Sequence, residues 1–235
     1  MKVMVEIFAL NICESISRNN IECLIHLINK ERADRVLSYR RTEDIYRSLL
    51  GELVIRYAVF LKSRCSNKVI KISNKGKPNL LYPKDIHFNI SHSRDWVLGG
   101  IAEAPIGIDI EFNEWNRNYE KIAERFFTET EQKYVFSSKS IACKVSRFYK
   151  IWTLKESYLK ADGRGLLLPM TSFSIIPYQK DITIKTDNPI KNCRFYSCRL
   201  EGNYSIAVCS INDEINKHIE LLTIKRIQDT LLKNN

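Results

Sequence analysis

The chain has 235 residues, of which 44% are hydrophobic and 27% charged, and it carries a formal net charge of +10 with an isoelectric point near pH 9.2. That balance excludes a disordered chain and allows a sizeable core, enough for one large domain or two small ones. The positive charge favours acidic partners (nucleic acid, a polyphosphate cofactor or an acidic protein), with a generally basic surface as the plain alternative.

Taken in chain order, Lys2 to Leu10 reads as a strand, with Val3, Val5 and Ile7 on one face. A helix is predicted from about Asn20 to Asn29. A basic, turn-like region with Arg32, Arg35, Arg40 and Arg41 follows. Thr42 suits an N-cap, and Glu43 and Asp44 complement the positive end of a helix running to about Lys62. The apolar positions of that helix, Ile45, Leu49, Leu53, Tyr57 and Leu61, recur every fourth residue, with Arg47 and Arg56 on the opposite edge. Ser73 to Asn79 is turn chemistry. Strands are predicted at His87 to Ile90, Trp96 to Ala102 and Ile106 to Glu111. Helices follow at Tyr119 to Arg125, after a Thr128/Glu131 capping box, and from Ser146 to Ala161, with Gly163 as terminator. Strands at 173–176, 182–185, 195–200 and 204–209 precede an amphipathic tail from His218 to Leu232. Each half carries a long helix and then strands, so the expected class is α+β: two similar halves, residues 1–105 and 106–235, joined near Pro105.

The seven cysteines are scattered without a CxxC pair, which excludes a zinc ribbon and a thioredoxin-like motif and points to reduced thiols in the cytoplasm. The segment from Met1 to Cys13 is too short and too charged for a signal peptide or membrane span, and no later segment reaches the length to cross a bilayer.

Four short motifs carry chemistry. In Gly107-Ile108-Asp109-Ile110-Glu111 the two acids lie two apart on a strand, so both leave the same face while the isoleucines face a core. Gly107 permits close backbone approach. In Trp152-Thr153-Leu154-Lys155-Glu156, with Lys160 one turn on, a helix offers a third carboxylate and two lysines. Two or three hard oxygen ligands suit Mg²⁺, which prefers a few carboxylates plus phosphate and water oxygens. Glu156 and Lys160 at i, i+4 read equally as an exposed salt bridge. Asn89-Ile90-Ser91-His92-Ser93 offers a hydroxyl and an imidazole to phosphate oxygens from a tight turn, or merely caps a hairpin. Gly76-Lys77-Pro78 alone is only a turn.

In this order the four motifs, extended by Gly163-Arg164-Gly165-Leu166, resemble the 4′-phosphopantetheinyl transferases, and within them the longer class that serves peptide and polyketide synthetases. The resemblance implies transfer of the phosphopantetheine arm of coenzyme A to a serine of an acyl or peptidyl carrier protein, with release of adenosine 3′,5′-bisphosphate. It implies a pseudo-dimer of two α+β halves with the active site in the cleft between them. By the family's pattern Asp109, Glu111 and Glu156 hold Mg²⁺, and Glu156, Lys160 and Lys155 are catalytic. Lys77, Ser91, His92, Arg47, Arg32 and Arg35 bind coenzyme A. The expected partners are acidic carrier proteins, with neither nucleic acid nor membrane, and the expected state is a monomer in the cytoplasm.

Two readings compete. A Mg²⁺-dependent nuclease also uses Asp-x-Glu on a strand with a nearby lysine, but Asn113 stands where a lysine two residues after Glu111 is wanted. A non-enzymatic basic binding module would make the acids surface salt bridges.

Overall fold

A computed structural model describes residues 4–13, 18–73, 78–115, 118–178, 181–188, 190 and 192–234. The chain divides into two compact units, Val5–Glu103 with Asn216–Asn235, and Ala104–Ile215.

The first unit is built on β1 (Met4–Asn11), α1 (Arg18–Ile25), α2 (Lys30–Leu37) and α3 (Thr42–Ser63). It continues through β2 (Lys71–Ile72), β3 (Leu80–Tyr82), β4 (His87–Ser93) and β5 (Trp96–Ala102). The segment expected as a basic turn is α2, capped by Asn29, whose side chain accepts from the Arg32 N–H. Arg41 rather than Thr42 is the N-cap of α3. α3 packs on β4 and β5, and helices cover its other side. Two glycines make the sheet contact close. A Cβ on Gly51 would sit 3.1 Å from Ile90, and one on Gly99 2.7 Å from Val54. Leu49, Leu53 and Tyr57 are buried as their spacing predicts. Arg56 is not on an exposed edge. It is buried with Glu52, and its guanidinium donates to the Asn67 and Ile70 carbonyls. A helix covered on all sides takes its charges inside, and each must then be paired.

The second unit comprises β6 (Ile106–Phe112), α4 (Tyr119–Phe126), α5 (Glu129–Phe136), α6 (Ile141–Asp162), β7 (Phe173–Tyr178), β8 (Asp181–Thr186), β9 (Cys193–Leu200) and β10 (Tyr204–Ile211). α6 starts five residues earlier than its apolar pattern implies, because Ser140 caps the Cys143 N–H. Gly163 ends it in the left-handed conformation, at φ 85°.

The tail is not one amphipathic element. It splits into β11 (Glu214–Leu222) and α7 (Ile224–Lys233). The division placing everything after residue 105 in one half differs here, since residues 216–235 belong with the first unit. β11 adds to the sheet edge beside β1, and Ile227 and Leu231 of α7 are buried in that unit's core. The sheets run β11-β1-β5-β4 and β6-β10-β9, with β1–β5, β4–β5, β6–β10 and β9–β10 antiparallel. Each unit thus repeats one connectivity. A first strand is followed by a 22-residue helix and then a hairpin whose second strand pairs beside the first strand. The fold is α+β.

Candidate active site

In the second unit, Gly107 fixes how closely α6 approaches β6. A Cβ there would stand 1.9 Å from the Ser157 carbonyl oxygen and 2.5 Å from the Ala161 nitrogen. Hydrogen in place of a methyl lets the helix backbone lie against the strand. That contact brings Lys160 to the acidic strand, where its Nζ donates to Asp109 Oδ1 at 2.7 Å and to the Ile108 carbonyl at 3.0 Å. Asp109 is buried, and Lys160 is about a quarter exposed, at 27%. The i, i+4 spacing of Glu156 and Lys160 therefore does not make a surface salt bridge, because Lys160 turns to the strand instead.

Glu156 lies one turn before Lys160, close enough for both partners to act on it. Burial raises its carboxyl above the usual range, the Asp109 charge pushes the same way, and Lys160 opposes them. Glu156 borders a cavity of about 300 Å³ whose walls include Phe126, Trp152, Leu159, Leu168 and Met170. Trp152, Glu156 and Leu159 share a helix face, and the chain returns after Gly163 to supply the Leu168–Met170 wall. Glycines expected only to stop the helix also turn the chain back over it, with Gly165 at φ 57°.

Glu111 lies two residues from Asp109 on β6, opposite Ser205 of β10. Among the described residues no group of three or more His, Cys, Asp or Glu side chains is gathered as a ready metal site. Asp109 and Glu156 are near enough for the charge of one to act on the other. Lys160 supplies the positive charge that Asp109 requires. The donor set nonetheless fits Mg²⁺, which takes one or two carboxylates and completes its shell with phosphate and water oxygens. The repulsion Asp109 exerts on Glu156 is one that a divalent cation relieves.

Lys155 is displaced from its expected role. Its side chain is fully buried, and Nζ donates to Glu131 Oε1 at 2.7 Å, Glu131 Oε2 at 2.8 Å and the Phe173 carbonyl at 2.8 Å. All three ammonium protons are used, and no face is left for a substrate. Glu131 is the capping-box acid of α5; it also accepts from the Thr128 and Ile175 N–H groups. Lys155 thus pins α6 to α5 and β7. The sequence signalled Glu131 only as a cap.

In the first unit, Arg32, Arg47, Ser48 and His92 line a cavity of about 390 Å³, with Tyr39, Asp44 and Pro78. Arg32 is held in place by Glu52 Oε2 at 2.8 Å and Ser48 Oγ at 2.9 Å. Arg47 donates to the Arg94 carbonyl and to Asp44 Oδ1, both at 3.3 Å. Ser91-His92-Ser93 is strand, not turn; the turn is Arg94-Asp95, with Arg94 at φ 45°. Strand alternation sends Ile90 and His92 to the cavity, while Ser91 is buried and does not line it. Arg35 lies on an exposed side of α2 and does not line it either. Lys77 lies outside the described residues, although its neighbour Pro78 is part of the wall.

Comparison with known proteins places these motifs. The family model described as "4'-phosphopantetheinyl transferase superfamily" matches residues 105–209, and that described as "4'-phosphopantetheinyl transferase, N-terminal" matches residues 15–103. The chain is 36% identical to the 4'-phosphopantetheinyl transferase gsp of Aneurinibacillus migulanus over 96% of its own length and 92% of the relative's. It is 29% identical to the 4'-phosphopantetheinyl transferase Sfp of Bacillus subtilis (strain 168), over 94% and 99%. A holo-(acyl-carrier-protein) synthase structure from Bacillus anthracis, in complex with CoA, matches 47% of this chain and 96% of its own at 20% identity and a TM-score of 0.39. Near-full-length similarity, with Gly-x-Asp-x-Glu on β6 and Lys-Glu on α6 inside the matched region, shows that the chain belongs to the 4′-phosphopantetheinyl transferase superfamily.

Proposed function

We propose that the chain transfers the 4′-phosphopantetheine arm of coenzyme A to a serine hydroxyl of a carrier protein, releasing adenosine 3′,5′-bisphosphate. The observation that carries this reading is the Asp109–Lys160 pair with Glu156 beside it, built by the two motifs of the matched family. Glu156, whose carboxyl is held above the usual range, accepts the proton of the attacking serine. Lys160, in contact with Asp109 and partly open to solvent, offsets the negative charge that builds on the departing bisphosphate. Arg32, Arg47 and His92 grip phosphate groups of coenzyme A; arginine forks suit phosphate oxygens, and Glu52 and Ser48 hold Arg32 ready for them. The apolar cavity beside Glu156 suits the largely uncharged pantetheine arm. Mg²⁺, held by Asp109, Glu111 and Glu156, would neutralise pyrophosphate charge as the P–O bond breaks. Lys155 acts only by fixing the helix that carries Glu156.

Acidic carriers suit the net charge of +10 and gain encounter rate from it. The enzyme is read as a monomer acting in the cytoplasm, and among the described residues no helix is long and apolar enough to cross a membrane. The test combines the chain, coenzyme A, Mg²⁺ and an apo carrier protein, and weighs the carrier by mass spectrometry. A gain of one phosphopantetheine, lost with EDTA and with Glu156→Gln, is expected. An unmodified carrier alongside Mg²⁺-dependent cutting of DNA would replace this reading with a nuclease.

A further inference from the structure

The sheet face that α6 covers changes character along its length. At the Gly107 end the contact is tight and made largely by backbone. Toward the start of α6, Arg147 and Lys150 of the helix and Arg199 of β9 surround a cavity of about 300 Å³. The hydroxyls of Ser146, Ser197 and Ser205 share its lining. Strand register explains the grouping. Arg199 stands opposite Ser205, and residues 197, 199 and 205 leave the sheet on the side of α6. None of these cations belongs to the motifs given roles above.

Among the described residues, none of the three makes an ion pair with a carboxylate. Arg147 donates to the Tyr134 carbonyl at 2.9 Å and to Ser137 Oγ at 2.7 Å, and lies over the Tyr134 ring at 5.1 Å. Arg199 donates to Ser146 Oγ. Burial alone pulls the Lys150 ammonium below the usual lysine range. Glu111 is opposite Ser205 on the neighbouring strand but outside the lining. A partly enclosed space lined by three cationic side chains concentrates anions. Two guanidinium forks, one ammonium and three hydroxyls form a donor set matched to a tetrahedral oxyanion. The volume is at the small end of ligand pockets.

We propose that this cavity is a second anion site, which takes a small phosphate-class dianion, either inorganic phosphate or a compact phosphate monoester. It shares no lining residue with the cation-lined cavity of the first unit and does not depend on the transferase reading.

The test is a backbone-amide NMR titration of the full chain carrying Arg47→Ala, which weakens the first cavity. Inorganic phosphate, glycerol 3-phosphate and chloride are added in turn at constant ionic strength. Saturable shifts at Ser146, Lys150, Ser197 and Ser205 with phosphate but not chloride are expected. Arg199→Gln with Lys150→Met should weaken binding by about tenfold or more, since each removes a charge-assisted contact. Tighter binding of glycerol 3-phosphate assigns the site to an ester, and equal binding assigns it to free phosphate. Shifts that match those of chloride, or undiminished affinity in the double variant, overturn the proposal. Arg199→Gln alone, at an exposed position, provides the same comparison should the double variant not fold.

Discussion

Gly107→Ala tests whether the approach of α6 to β6 builds the site. The added methyl would lie 1.9 Å from the Ser157 carbonyl oxygen, 2.5 Å from the Ala161 nitrogen and 2.9 Å from Lys160 Cβ. Ordinary contact begins at 3.4 Å, so the nearest pair must separate by 3.4 − 1.9 = 1.5 Å. No rotamer relieves a clash between a Cβ and backbone, so the helix itself must shift. Overpacking of this kind costs roughly 1–3 kcal/mol, and a backbone clash belongs at the upper end. For a chain of this size that lowers Tm by about 6–12 °C. The same shift pulls Lys160 from Asp109 and moves Glu156, and a misplacement of about 1 Å costs on the order of 100-fold in rate. Thermal melts by circular dichroism and carrier loading by mass spectrometry, run well below the lowered Tm, read the two effects separately. Gly163→Ala is the control. Nothing lies within 4 Å of its added methyl, so only its φ of 85° is penalised, at about 1 kcal/mol with loading preserved. A Gly107→Ala variant that melts within a degree of the parent and loads carrier at the parent rate refutes the reasoning.

Lys155→Met strands the Glu131 carboxylate in the core and should cost about 3–5 kcal/mol, while KM for coenzyme A stays unchanged in the folded fraction; a rise in KM with unchanged Tm would return Lys155 to the site. Burial pulls the Lys155 ammonium down to about 8, against the attraction of Glu131. Unfolded lysine titrates near 10.4, so between about pH 8 and 10.4 the unfolded chain holds the extra proton. Urea melts should therefore show wild-type stability, relative to Lys155→Met, rising with pH across that window; a fall would reverse the assignment. On the proposed reading, in which Arg47 grips a phosphate and touches no reacting atom, Arg47→Ala should raise KM for coenzyme A about tenfold or more with a smaller change in kcat. Cys209 lowers the Cys193 thiol through a hydrogen bond, while burial raises Cys198 and Cys209. Iodoacetamide mapping should accordingly find Cys193 alkylated at lower pH than either; equal onset for all three would contradict that ordering.

Much of the site was legible in local pattern. Period-two alternation places Asp109 and Glu111 on one face of β6, and a 3.6-residue period places Trp152, Glu156 and Leu159 together on α6. Ser91-His92-Ser93 reads as a turn yet is strand, because the two-residue turn after it is Arg94-Asp95, which has neither of the usual glycine or asparagine signals. The basic segment around Arg32 and Arg35 looked turn-like because its single buried apolar residue, Val36, leaves no stripe to follow; the Asn29 cap was the available sign.

By itself the sequence determined the α+β class, the family motifs, and which carboxylates share a strand face, since all of these depend on residue type and short-range period. Tertiary structure decided what the two lysines do. Lys155 and Lys160 are five residues apart and so point about 140° apart around a helix of 3.6 residues per turn. One meets Glu131 on α5 and the other Asp109 on β6. Tertiary structure also returned β11 and α7 to the first unit, because the pairing of β11 beside β1 joins residues from opposite ends of the chain and no local pattern records such a contact.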